Sequence, residues 1–384
     1  MSKKLGEGGF GSVRRDELNG QTVAVKRYKT NISDGIRPEI IREIALMKHM
    51  IHPNLIKLLD VWLVHGIEIV MDYGGINLTQ YTTTTSLTVR LANFNLVKQA
   101  LMDGLQYLHS NGIIHRDLKP GNILVLVERE TTLVRICDFG ISKTWSTTNT
   151  PGVGTANYRA PELFNCSEYT KSVDIWSLGC CLYEYLTREQ LFKGNTDMAI
   201  IGNIVRIVPT NQQDLILIGL GLVEAKSCNT TQYFKLHPLY PETLKIIEQR
   251  KQLDAIKPLI ESMILIKPND RFNLNLSIVM SNLNSVEDAR FDKFKLSRHT
   301  HTTAVQLWKK INTHLTNAAS VERLSGLKHL KYIEIACAVI ASKFHDIKYL
   351  KYKSFVKIEL VKVIAEWELY ILRTCEWNLY ILLE

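Results

Sequence analysis

No stretch of this 384-residue sequence stays apolar for the ~20 residues that a helix needs to cross a bilayer. Met1 to Gly6 holds two lysines with no apolar run behind them, so a secretory leader is not expected. The seven cysteines contain no C-x-x-C pair, and Cys180 and Cys181 are neighbours inside an apolar helical stretch, which argues against a disulfide framework. Reduced thiols in the cytosol or nucleus are the expectation. The formal charge is +9, yet the lysines are scattered over the polar faces of helices. That pattern predicts a solvated basic surface, with neither nucleic acid nor membrane as partner. At 384 residues the chain exceeds what one hydrophobic core serves, so one large domain and a smaller one are expected.

What is present centres on His115 to Gly140. Residues 115–122 read H-R-D-L-K-P-G-N, a short apolar strand follows, and Asp138-Phe139-Gly140 closes the stretch. Two carboxylates, an amide and a lysine are thereby set on loops at strand ends, the equipment for holding two metal ions and transferring a phosphoryl group. Asp117 would take the proton of a hydroxyl, Asn122 and Asp138 would hold Mg²⁺, and Lys119 would neutralise charge on the phosphate. With Ala160-Pro161-Glu162 behind it, the series resembles the protein-kinase signature.

The remaining motifs stand where that resemblance requires them. Leu5 to Val13 reads L-G-E-G-G-F-G-S-V, a G-x-G-x-x-G loop whose backbone amides can approach phosphates. Five residues before Gly6 leave the first strand unusually short. The alternating V-A-V-K predicts a strand from which Lys26 reaches the ATP phosphates. From Ile36 onward apolar residues recur at helical spacing, with Ile40, Ile44 and Met47 on one face and Glu43 placed to pair with Lys26. Two further strands lead to a hinge at Asp72 to Gly75. Leu5, Val13, Ala24 and Leu124 would sandwich an adenine; Gly6, Glu7, Gly8, Gly9, Phe10, Gly11, Lys26, Asp72 and Gly74 complete the expected nucleotide contacts. Thr82 to Ser86 reads T-T-T-T-S and predicts a loop before a helix over Asn93 to His109. Another helix contains Asp174, which would brace the catalytic loop, and Arg271 would pair with Glu162. Cys137 directly precedes Asp138, so its sulfur is expected to face the nucleotide.

Residues 1 to about 285 are identified as resembling a serine/threonine protein kinase of the cyclin-dependent type. The I-R-E-I-A-L-M-K helix and Y-R-A-P-E carry that likeness. It implies an α+β bilobal fold, with a small mostly β lobe over about 1–74 and a large mostly α lobe over about 75–285. ATP, Mg²⁺ and protein substrates follow by implication. Lys119-Pro120 after H-R-D-L implies serine or threonine acceptors. Arg159 would hold a backbone carbonyl so that proline, which has no amide proton, fits after the acceptor, and Gly154 would take the left-handed backbone this needs. Thr150 occupies the position of an activating phosphothreonine, with Arg42, Arg116 and Lys143 as its clamp. Gly9-Phe10 stands where relatives carry an inhibitory Thr-Tyr pair, so control by that route is not expected.

Residues 286–384 predict a small helical domain, with segments starting near Ala304, Tyr332 and Glu359. The middle one is apolar nearly all round. A-C-A-V-I-A-S-K-F and C-E-W-N-L resemble a shortened cyclin box that lacks the helix bearing the substrate-docking patch. The likeness places Lys343 and Glu368 against the kinase helix, on this chain or a second one, and implies a built-in activator joined by a linker from about Val286 to Thr303. Two other readings stay open: a catalytically dead kinase-fold scaffold, and an active kinase whose tail is only an interaction module.

Overall fold

The computed structural model describes residues 3–8, 11–29, 35–63, 66–129, 131–144, 154–164, 169–208, 247–274, 298–317, 328–345, 361–375 and 377. Strands β1 (Lys3–Gly8), β2 (Gly11–Leu18), β3 (Gln21–Tyr28), β4 (Leu58–Trp62) and β5 (Glu68–Asp72) form an antiparallel sheet in the order β1-β2-β3-β5-β4. The first strand is not short: it pairs with β2 from Lys3 opposite Arg15 to Gly8 opposite Gly11, running straight into the glycine loop. In β3, successive residues point to opposite faces. Val23 and Val25 join Val70 in a small cluster on one face, while Ala24, Lys26 and Tyr28 share the other.

That second face is covered by helix α1 (Pro38–His49). Pro38 opens the helix, where its missing amide proton is no loss, Glu39 lies in the first turn, and Lys48 and His49 lie in the last. One apolar face was expected, yet Ile40, Ile41, Ile44, Ala45, Leu46 and Met47 are all buried. The helix is packed from two sides, by the sheet's helix-facing core and by a helix of the C-terminal domain, so a single stripe does not suffice.

The larger lobe starts at the hinge. Strand β6 (Ile76–Asn77) leads into α2 (Leu78–Thr84) and α3 (Leu87–Ser110). Residues Thr82 to Thr84, expected in a loop, are helical. Asn77 and Gln80 form a reciprocal cap, and the hydroxyls of Thr83, Thr84 and Thr85 bond back to the carbonyls of Gln80 or Tyr81. Ser86 then caps α3, which therefore begins earlier than the periodicity from Asn93 suggested. Short strands β7 (Ile113–Ile114), β8 (Ile123–Glu128), β9 (Thr131–Ile136) and β10 (Lys143–Thr144) pair as β6-β8-β9 and β7-β10, holding the catalytic loop between them.

Among the described residues of this lobe, helices α4 (Ser172–Thr187), α5 (Asp197–Ile207) and α6 (Ile247–Met263) follow. The expected Arg271–Glu162 pair is present and bidentate, at 2.6 and 2.8 Å. The same guanidinium bonds the carbonyls of Leu265, Ile266 and Ser172 and lies 5.0 Å from the Trp176 ring centre. A buried charge met on all sides in this way ties the A-P-E turn to the lobe's core.

The C-terminal domain contains α7 (Arg298–Asn317), α8 (Lys328–His345) and α9 (Val361–Thr374). Residues expected in the linker are already helical from Arg298, and Thr300 and Thr303 are buried. Helix α8 packs on α7, α9 and α1 together, and its alanines 336, 338 and 341 have no exposed surface. No helix among the described residues is long and apolar enough to cross a membrane.

Candidate active site

Lys26 projects from β3 into the cleft beneath the sheet. Its Nζ lies 2.7 and 2.8 Å from the two Glu43 oxygens and 3.1 Å from Asp138 Oδ1. Burial works against the Lys26 charge, but Glu43 and Asp138 outweigh it and hold its pKa above the ordinary lysine value. Burial pushes the Glu43 carboxyl up, and the Lys26 ammonium is the main group opposing that rise. For Asp138 burial also acts upward, but Lys26 prevails and the pKa is lowered. Sequence reasoning missed the Tyr28 hydroxyl, which donates to Glu43 Oε2. The signal was there: Tyr28 lies two residues past Lys26 on the same strand face.

The catalytic loop is held from below. Buried Asp174 accepts from the backbone amides of His115 and Arg116, each at 2.9 Å, and pairs with His109 Nε2 at 2.8 Å. Burial would raise the pKa of Asp174, but its bond to His109 and the neighbouring charges and amides lower it. These contacts support Arg116 at φ +69°, and Asp138 takes φ +68°, conformations that non-glycine residues adopt where surrounding bonds hold them.

Asp117, Lys119 and Asn122 converge on one another. Lys119 Nζ is 2.7 Å from Asp117 Oδ2, and Asn122 Nδ2 donates to the Asp117 carbonyl and to Oδ2 at 2.9 and 3.0 Å. Thr155, which the sequence reading passed over, links them: its Oγ1 is 2.8 Å from both Asp117 Oδ1 and Lys119 Nζ. Next to it, Arg159 Nη2 donates to the Gly154 carbonyl at 2.9 Å. Gly154 has φ +83°, and a side chain there would strike the Arg116 carbonyl at 2.4 Å.

On the nucleotide side, Ala24 is buried, and Leu5, Val13 and Leu124 are partly buried against the core. Gly74 approaches Leu124 so closely that a Cβ would lie 2.5 Å from it. Asp72 ends β5, its amide donating to the Lys57 carbonyl. Gly6, Glu7, Gly8 and Gly11 lie in the β1–β2 hairpin, where the Glu7 carboxylate faces Lys4 and Lys29. Gly9 and Phe10 lie outside the described residues.

The donor set fits a hard divalent cation. Among the described residues no three His, Cys, Asp or Glu side chains converge as a cage. Mg²⁺ takes one or two protein oxygens and fills its other positions with water and substrate phosphate. The Asp138 carboxylate and the Asn122 amide oxygen supply protein ligands of that kind.

Cys137 is half-buried next to Asp138. Its Sγ donates to the Asn122 carbonyl at 3.4 Å, and burial, with Asp138 adding to it, pushes the thiol far above its ordinary pKa. The thiolate is the reactive form, so an alkylating agent at pH 8 should leave Cys137 untouched in the native chain, with or without ATP. Peptide mapping after denaturation should recover the free thiol; native labelling that ATP blocks would contradict this.

Two sequence-derived sets fare differently. Of the phosphate clamp, Arg116 donates to the Ile141 carbonyl at 2.6 Å and to the Tyr169 hydroxyl at 2.9 Å, and Arg42 is half-buried on α1. Lys143 lies in β10, while its side chain and Thr150 fall outside the described residues. Lys343 and Glu368, in contrast, meet in full. Their charges pair at 2.7 Å; Lys343 Nζ donates to the Ile36 carbonyl at 2.5 Å, and the Ile36 amide donates to Glu368 Oε2 at 3.1 Å. Lys343 is 4% exposed and Glu368 0%, so they are not the solvated charges that helix ends often carry. Both backbone groups of one residue, two positions ahead of α1, are thus gripped from the C-terminal domain.

A family model for the protein kinase domain matches residues 1–281, and one for the cyclin N-terminal domain matches residues 289–380. The mitogen-activated protein kinase HOG1 of Ustilaginoidea virens is 32% identical over 324 residues, covering 79% of this chain and 86% of the relative. HOG1 of Gibberella zeae is 31% identical over 316 residues, with 79% and 85% covered. Mitogen-activated protein kinase 12 of Danio rerio is 33% identical over 280 residues, with 70% and 74% covered. With the lysine, glutamate and aspartates assembled in one cleft, the chain belongs to the protein kinase family and carries a cyclin N-terminal domain on the same polypeptide.

Proposed function

We propose that this chain transfers phosphoryl groups from ATP to serine and threonine hydroxyls of proteins, that it prefers acceptors followed by proline, and that its C-terminal domain is a built-in activator of the cyclin-dependent kind. One observation carries the reading: the Lys26–Glu43 pair is closed while the C-terminal domain grips the chain just ahead of the helix that supplies Glu43.

The roles follow from the positions of the groups. Lys26, oriented by Glu43, would neutralise the nucleotide phosphates. Mg²⁺, held by Asp138 and Asn122, would supply charge neutralisation across the phosphates. Asp117 would accept the proton of the attacking hydroxyl, and Lys119 beside it would balance charge on the group in transit. Thr155 keeps these two side chains in register. With Arg159 occupying the Gly154 carbonyl, that carbonyl is turned away from a substrate backbone, which favours a residue with no amide proton.

Initial rates on matched peptides test the acceptor preference. A Ser-Pro peptide should be phosphorylated at least about tenfold faster than its Ser-Ala counterpart, since leaving one polar group unpaired costs about 1–3 kcal/mol. Equal rates would remove the proline-directed part and leave the phosphotransfer part standing.

A further inference from the structure

We propose that Tyr28 is a positioning residue for phosphoryl transfer, aligning Glu43 and through it Lys26; this deepens the kinase reading above and rests on it. Glu43 is 2% exposed. A carboxylate so far from water needs donors on both oxygens to remain charged and in one rotamer. The three N–H groups of Lys26 are all committed, two to the Glu43 oxygens and one to Asp138 at 3.1 Å, so the remaining lone pairs of the Glu43 carboxylate need another donor. Tyr28 supplies a second donor on Oε2, and the Lys26 ammonium lies 5.2 Å from the Tyr28 ring centre, within cation–π range.

The placement of Tyr28 gives this bond its consequence. It ends the same strand that carries Lys26, and its own backbone amide is tied to the Ile67 carbonyl at 3.2 Å. The C-terminal domain sets α1 by gripping Ile36, outside the site. Tyr28 then fixes the Glu43 carboxylate to the strand from inside, so that the helix position is passed to Lys26 through rigid elements. With Glu39, Glu43, Asp117, Asp138, Gly140 and Ile141 it also lines a cavity of about 20 Å³. A phenylalanine at this position keeps the ring and loses only the donor.

Steady-state assays on the full chain with a Ser-Pro peptide, arranged as a double-mutant cycle, separate this role from plain packing. Tyr28→Phe should lower kcat about tenfold, the scale of one hydrogen bond to a charged group, with the peptide KM little changed. Its melting temperature should stay within about 2 °C of wild type. In a Glu43→Gln background the same change should cost less than about twofold, because the bond it removes is already weakened. An equal factor in both backgrounds, a wild-type rate for Tyr28→Phe, or a variant that does not fold would each overturn the role. An inactive wild-type chain would remove the kinase reading and this role together, whereas an active wild type with additive losses removes the role alone.

Discussion

Asp138→Asn should lower peptide phosphorylation by about a thousandfold or more, while the chain keeps its fold. The substitution preserves the shape of the side chain and removes its charge. That charge neighbours Lys26 and is the only carboxylate in the proposed metal pair, so losing it weakens both the cation's hold and the stabilisation of transferring charge. Single electrostatic contacts of this kind are worth about a hundred- to a thousandfold, and here one change touches two of them. Lys26→Met should be as inactive, but it should also melt lower. It leaves the buried Glu43 carboxylate facing Tyr28 without its cation, and an orphaned buried charge costs about 3–5 kcal/mol. Turnover and thermal melting on the two variants check this; an Asp138→Asn chain near the wild-type rate would refute the assigned site.

Breaking the grip on Ile36 should be almost as damaging. Lys343→Met leaves Glu368, which has no exposed surface, without its cation. A penalty of about 3–5 kcal/mol corresponds to a factor of roughly 150 to 5,000 in the docking equilibrium. A tether provides an effective concentration in the millimolar range, which offsets only part of a loss that large. Glu368→Gln should be milder, since an amide oxygen can still accept from the Ile36 amide. The pair Lys343→Met with Glu368→Leu separates docking from folding: two apolar residues replace a buried pair at little cost to the domain, yet neither bond to Ile36 remains. Peptide phosphorylation should fall at least about tenfold in the double variant, with the helical circular dichroism unchanged; full activity there would dissociate the contact from activation.

The catalytic half was legible because its chemistry sits in short contiguous motifs: His115 to Asn122 and Asp138 to Gly140 each bring their reacting groups together along the chain. Lys26 and Glu43 required only the expectation of a strand and a helix. What stayed hidden depended on contacts distant in sequence. The near-complete burial of α1 reflects cover by α8, almost 300 residues later, which no local periodicity can announce. Thr155 and Tyr28 looked like ordinary turn and strand residues until their hydroxyls met Asp117 and Glu43. The threonine run misled because threonine is a weak helix former in isolation, whereas α2 is secured by its cap and by hydroxyl bonds to its own carbonyls. Lys343 and Glu368 were placed by likeness to a cyclin box. Their burial around the backbone amide and carbonyl of Ile36, whose own side chain is buried in the core, came only with the structure.

The most direct test compares the purified full chain, dilute and with no other protein added, with residues 1–285 on the same Ser-Pro peptide and ATP. The full chain should turn over within the ordinary kinase range of about 1–100 s⁻¹. The shorter chain should be at least about a hundredfold slower and recover when residues 286–384 are supplied at the millimolar level that the tether otherwise provides. Equal rates for the two chains would show that the C-terminal domain, however firmly it holds Ile36, does not activate the kinase.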